Sequence, residues 1–139
     1  MLDWVKKRLI IESLDFDSSQ ILENYNNMIV NYKNREFVIS INSNYPFKPP
    51  KCSFNGVTLN YSYQNIPKRL LSYYLNEGNS CFCCHNILCP DNWSPLHRLI
   101  DIFEEYTRFV DNLKITYKKK IIQKLNLPDD MIYYISSFL

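Results

Sequence analysis

Val5, Leu9, Ile10 and Leu14 recur among charged residues at spacings that share one helical face, so Leu2 to Leu14 predicts an amphipathic helix. The small polar run Asp15 to Ser19 interrupts that pattern. Met28-Ile29-Val30-Asn31-Tyr32 and Phe37-Val38-Ile39-Ser40-Ile41 are rich in β-formers, and Lys33-Asn34 between them predicts a tight turn and a hairpin. Pro46, Pro49 and Pro50 fix φ and push their predecessors into extended geometry, which excludes regular helix or strand over Tyr45 to Pro50. Cys52-Ser53-Phe54 then predicts a short third strand ending at Asn55-Gly56. Thr58 to Glu77 gives a mixed signal, with a short helix expected between Ile66 and Leu75 after Pro67. Ser94 can cap a helix that tolerates Pro95 in its first turn, and Leu96, Leu99, Ile100, Phe103, Tyr106 and Val110 trace its apolar face. That helix is expected to run on toward Leu125. Leu127-Pro128-Asp129-Asp130 breaks it, and Met131 to Leu139 predicts a last apolar helix. The resulting class is α+β: an N-terminal helix, a small antiparallel meander sheet, a long central helix and a C-terminal helix.

Composition narrows the function classes. With 139 residues, the chain is expected to build a core over 1–110, with 111–139 as a helical extension that packs on it. A net charge of +2 demands no nucleic-acid partner, and Lys118-Lys119-Lys120 reads as a solvated helix face. No apolar run is long enough for a bilayer crossing, and the start Met1 to Arg8 lacks the apolar core of a secretory signal. The expected compartment is therefore the cytoplasm, where the five cysteines are thiols rather than disulfides. Asn, Ile, Lys and Tyr, all with AT-rich codons, are abundant and alanine is absent, so Asn or Tyr abundance carries no functional signal.

Two stretches carry the chemistry. Asn44-Tyr45-Pro46-Phe47-Lys48-Pro49-Pro50-Lys51-Cys52-Ser53-Phe54 resembles the tyrosine-proline-x-x-proline-proline signature of ubiquitin-conjugating enzymes. Cys84-His85-Asn86-Ile87-Leu88, followed by Trp93-Ser94-Pro95-Leu96, resembles that family's cysteine-leucine-aspartate-isoleucine-leucine and tryptophan-serine-proline segments, in the family's order. The resemblance spans Leu2 to Val110, and the cysteine-rich version is similar to divergent members from large DNA viruses, for which the compartment would be the host cytoplasm. It implies the UBC-like fold and a carrier of ubiquitin or a ubiquitin-like modifier, held as a thioester and passed to an amine or thiol.

The same resemblance assigns Cys84 as nucleophile, a role for which a thiolate suits because it both attacks and leaves readily. Asn76, eight residues earlier, takes the place of the asparagine that stabilises the oxyanion, although the histidine and proline preceding it in the family are absent. Counting back from Trp93 instead puts His85 in the slot, and Cys83 is the neighbouring alternative. Phe47, Ser94, Pro95 and Leu96 correspond to loops that touch the activating enzyme and the ligase, and Lys6, Lys7 and Arg8 to the helix that joins them; Trp93 is expected to anchor the core. His97, Asp101, Glu104 and Glu105 are expected at the surface. No cofactor is implied. A competing reading takes Cys81, Cys84, Cys89 and His85 as zinc ligands in an interaction module, and another keeps the fold as a binding protein without transfer.

Overall fold

The computed structural model describes residues 1–22, 24–59, 66–79 and 86–125, together with 128 and 131. The architecture is α+β. Helix α1 (Asp3–Ser13) precedes five strands, β1 (Ser18–Ile21), β2 (Asn27–Tyr32), β3 (Arg35–Ser40), β4 (Lys51–Phe54) and β5 (Val57–Leu59). Helices α2 (Lys68–Asn76) and α3 (Leu99–Leu125) follow. The expected last helix lies, from Ile132 on, outside the described residues. Among the described residues no helix is long and apolar enough to cross a membrane. The chain divides into two compact units, one of Met1–Ser62 with Phe82–Glu105 and one of Tyr63–Cys81 with Tyr106–Leu139.

The sheet is an antiparallel meander in the order β1-β2-β3-β4-β5. Two tight turns set its register. Lys33 and Asn34 both have positive φ, 49° and 61°, so a two-residue turn with the twist of the strands joins Tyr32 to its partner Arg35. Asn55 (φ 50°) and Gly56 (φ 75°) do the same between Phe54 and Val57. Asn55-Gly56 thus opens a further strand, β5, over residues whose sequence signal was mixed. β1 begins at Ser18, inside the polar run expected to be irregular. It pairs Ser18 with Asn31 through Ile21 with Met28, an edge whose polar side chains face water.

Alternation supplies the core of this unit. Met28 and Val30 on β2, Phe37 and Ile39 on β3, and Cys52 on β4 are fully buried. Leu99, Ile102 and Phe103, on the first turns of α3, are buried with them. Phe103 lies 4.5 Å from Phe37 and 5.5 Å from Phe16 between ring centroids. α1 contributes Val5, Leu9 and Glu12. Ile10 and Leu14, expected on that buried face, are exposed at 47% and 80%.

Glu12 is the unexpected member of the core. It is 3% exposed, so its carboxylate must be satisfied by donors. Tyr45 Oη donates to Oε2 at 2.8 Å, the backbone N–H of Leu99 donates to the same oxygen at 3.0 Å, and Arg8 Nε donates to Oε1. α1, the proline-rich loop and the start of α3 therefore meet on one side chain. Burial, and then the nearby Glu12 carboxylate, push the Tyr45 phenol well above its ordinary value of 10.0. Burial alone pushes the Cys52 thiol well above 9.0.

Tyr45→Phe removes a donor to a buried carboxylate and is expected to cost about 1.5–3 kcal/mol in urea unfolding at neutral pH. The folded chain keeps protons on Cys52 and Tyr45 that the unfolded chain releases. Their contribution to stability is therefore full below 9.0 and 10.0 respectively and declines as pH rises past those values. The urea midpoint should fall with rising pH in that alkaline range, and Cys52→Val should remove the part of the fall that starts at the lower value.

Candidate partner-docking site

Two segments distant in sequence meet beside α1. The first is the loop from Asn42 to Pro50. Asn42 braces it twice: its Nδ2 donates to Pro49 O at 2.8 Å and its Oδ1 accepts from Asn44 N–H at 2.9 Å. The Tyr45–Pro46 peptide is cis. Tyr45 is buried, and the next aromatic, Phe47, is turned out and 69% exposed. Phe47 meets the exposed Trp4 of α1 edge-on, at 6.2 Å between ring centroids.

The second segment is the loop before α3. Trp93 is buried, as its expected anchoring role requires, and its Nε1–H donates to Pro46 O at 2.6 Å, which ties the two loops together. Ser94 does not cap α3. Its hydroxyl accepts from Leu96 N–H at 3.3 Å, and its N–H donates to His97 Nδ1 at 3.0 Å, so Ser94 to His97 close a local turn and the helix starts at Leu99. Arg98 N–H is taken by Asp101 Oδ2 at 2.7 Å and Leu99 N–H by Glu12, which supplies the helix start that Ser94 was expected to supply. Leu96, at the tip of that turn, is 90% exposed.

Arg8 holds this loop to α1. Its Nη1 donates to Pro95 O and its Nη2 to His97 O, both at 2.6 Å, while Nε serves Glu12. Its guanidinium also lies 5.3 Å from the Tyr45 ring centroid. Burial disfavours its charge, but the hydrogen bond and charge of Glu12 together with Tyr45 outweigh that, and its pKa is raised. Arg8 thus has all three nitrogens engaged by the protein, although its half-buried side chain still borders solvent. Lys7 stays exposed on an open groove of about 650 Å³, lined by Trp4, Ile11, Pro95 and Leu96 and by the charged Arg8, Glu12 and Arg98. Lys6 lies 3.9 Å from Asp3 and above the Tyr25 ring, off that groove.

The expected chemical residues fall differently. Cys84, with Cys81, Cys83 and His85, lies outside the described residues. The segment that follows them is firmly held. Asn86 is 1% exposed, its Oδ1 accepts from Leu88 N–H at 2.7 Å and its carbonyl from Cys89 N–H at 3.0 Å. Ile87 N–H donates to Glu105 Oε1 at 2.9 Å. Glu105, expected as a surface acid, instead fastens this loop, and His97 lies ahead of α3 against Trp93 rather than on the helix. Of the alternative zinc ligands only Cys89 is described, as a free, partly exposed thiol. Asn76 is the last residue of α2 and is exposed. Glu12 and Arg8 were the structural residues hardest to foresee; the available signal was an acid three positions after Leu9, on the buried side of α1.

Comparison with protein-family models, curated proteins and solved structures gives no match for the chain.

Lysine cannot reach two carbonyls and a carboxylate with a planar fork. Arg8→Lys should therefore loosen the 94–99 loop and leave the sheet intact. Hydrogen exchange should report His97 and Leu99 amides exchanging roughly tenfold faster, with β2 and β3 unchanged.

Proposed function

We propose that the chain is a ubiquitin-conjugating-enzyme-like carrier that docks its activating enzyme and ligase through Trp4, Lys7, Phe47, Pro95 and Leu96 and bears the modifier on Cys84. The observation that carries the reading is the meeting of the two motif loops at α1, where exposed apolar side chains stand among the cations Lys7, Arg8 and Arg98. Trp4, Ile11, Phe47 and Leu96 come from three segments and are all exposed, an arrangement that marks interaction sites on proteins. The proline-flanked, Asn42-braced loop presents Phe47 with little freedom left to lose on binding.

In the proposed transfer, the Cys84 thiolate attacks the acyl carbon of a modifier thioester on the activating enzyme. The new carbon–sulfur bond forms as the old one breaks, and the donor sulfur leaves as a thiolate. An acceptor amine then attacks the same carbon, the amide forms and Cys84 departs, the amine proton going to solvent base. A binding role without transfer uses the same surface. Its supporting observation is that Asn76 ends α2 with its side chain exposed to solvent.

The test incubates the full chain with a panel of activating enzymes and modifiers plus ATP, followed by a non-reducing gel. The carrier reading expects an adduct that thiol reductant removes and that Cys84→Ala lacks. Phe47→Ala with Leu96→Ala, both at exposed positions, should cut loading or ligase-stimulated discharge roughly tenfold with an unchanged unfolding midpoint. No adduct across the panel, with ligase capture still sensitive to Phe47 and Leu96, would leave the binding role instead.

A further inference from the structure

The unit of Tyr63–Cys81 and Tyr106–Leu139 has its own internal framework. Tyr74 on α2 is buried and meets Phe109 on α3 edge-on at 5.4 Å, Thr116 Oγ1 donates to Glu77 Oε2 at 3.0 Å, and Gly78 (φ 83°) closes α2 with its N–H on Leu75 O. Alongside these contacts runs a small groove that the docking surface above does not involve. Its volume is about 180 Å³, and Leu70 and Tyr73 of α2 line it with Tyr117 and Ile121 of α3.

The rim of the groove is cationic. Arg69, Lys120 and Lys124 line it, and among the described residues no acid does. Arg69 and Lys124 make no ion pair among the described residues. Tyr117, Lys120, Ile121 and Lys124 form one stripe of α3 at helical spacing, apolar and basic in alternation. From Asn112 to Leu125 the helix carries Lys114, Lys118, Lys119, Lys120 and Lys124 and no acid, so nothing on α3 neutralises the rim. An apolar trough rimmed by cations that have no acid partner among the described residues is the complement of a segment that carries acids beside an aliphatic or aromatic side chain.

We propose that this groove docks a short acidic peptide segment of a partner protein, with an apolar side chain in the trough and carboxylates against Arg69, Lys120 and Lys124. A nucleic acid fits less well. Lys120 Nζ already lies 4.6 Å from the centroid of the Tyr73 ring, which leaves Tyr117 as the single uncovered ring among the described lining residues, beside the aliphatic Pro67, Leu70 and Ile121, and one ring is too few for a run of stacked bases. A second copy presenting the same groove would set cations against cations.

The experiment uses the full chain and fluorescence anisotropy with a labelled synthetic peptide in which Glu and Leu alternate at helical spacing. Replacing each Glu of the peptide by Gln should weaken binding roughly tenfold. Arg69→Glu with Lys124→Glu should also weaken it roughly tenfold, whereas Lys119→Glu, on the same helix but off the groove, should stay within about twofold. If the double reversal does not fold, Arg69→Gln with Lys124→Gln carries the same comparison. The proposal is overturned by no binding or by equal losses for Lys119→Glu. It is also overturned by tighter, equally groove-sensitive binding of single-stranded oligothymidylate, or by a concentration-dependent dimer that the groove variants dissolve. None of these readouts involves Cys84.

Discussion

A buried carboxylate organises the unit that holds the sheet. Glu12 is nearly inaccessible, and an ionised group in that position is tolerated only when donors replace its lost hydration. Its donors come from three places: the preceding turn of α1, the proline-rich loop 33 residues on, and the first turn of α3, 87 residues on. The requirement is directional as well as energetic. Arg8 must sit where one nitrogen reaches Glu12 while the other two reach Pro95 and His97, which fixes both the roll of α1 and the path of the loop. Trp4, Lys7 and Ile11 then face outward beside Leu96. The exposed surface is in this sense a by-product of how a single acid is satisfied in the interior.

Local chemistry accounts for the parts of the fold that could be read along the chain. Lys33-Asn34 and Asn55-Gly56 are turn formers whatever surrounds them, and the alternation of β2 and β3 places Met28, Val30, Phe37 and Ile39 inside without help from elsewhere. Other features depend on partners far away. Ser18-Ser19-Gln20 has no strand preference of its own and becomes β1 because β2 offers an open edge. The start of α3 moves from Ser94 to Leu99 because Glu12 and Asp101 take up its first N–H groups while Ser94 is engaged in its own turn. At the candidate site, the exposure of Phe47 and the burial of Trp93 could be foreseen from the motifs, whereas Leu96, expected on the apolar face of the long helix, lies ahead of it and is exposed. The inward commitment of Arg8 could not, since it depends on carbonyls nearly ninety positions later.

The cysteines illustrate how little residue type says without surroundings. Cys52 is sealed beneath the sheet and its thiol is held protonated by burial, so it behaves as a small apolar side chain. Cys89 is partly exposed in a turn whose carbonyls and amides are already engaged with Asn92, Trp93 and Asn86. The thioester proposal rests on neither, and concerns the residue two positions before a tightly held Asn86.

The meander has a kinetic corollary. Every strand pairs with its neighbour in sequence, so each hairpin closes a short loop and the sheet can zip up with little entropy lost per step. The clasp from Arg8 and Glu12 to residues 95–99 spans most of the unit's sequence and brings no such economy. Emerging from a ribosome, this chain would have its sheet residues available well before the far half of the clasp had been translated, leaving the polar side chains of the first helix in water until then.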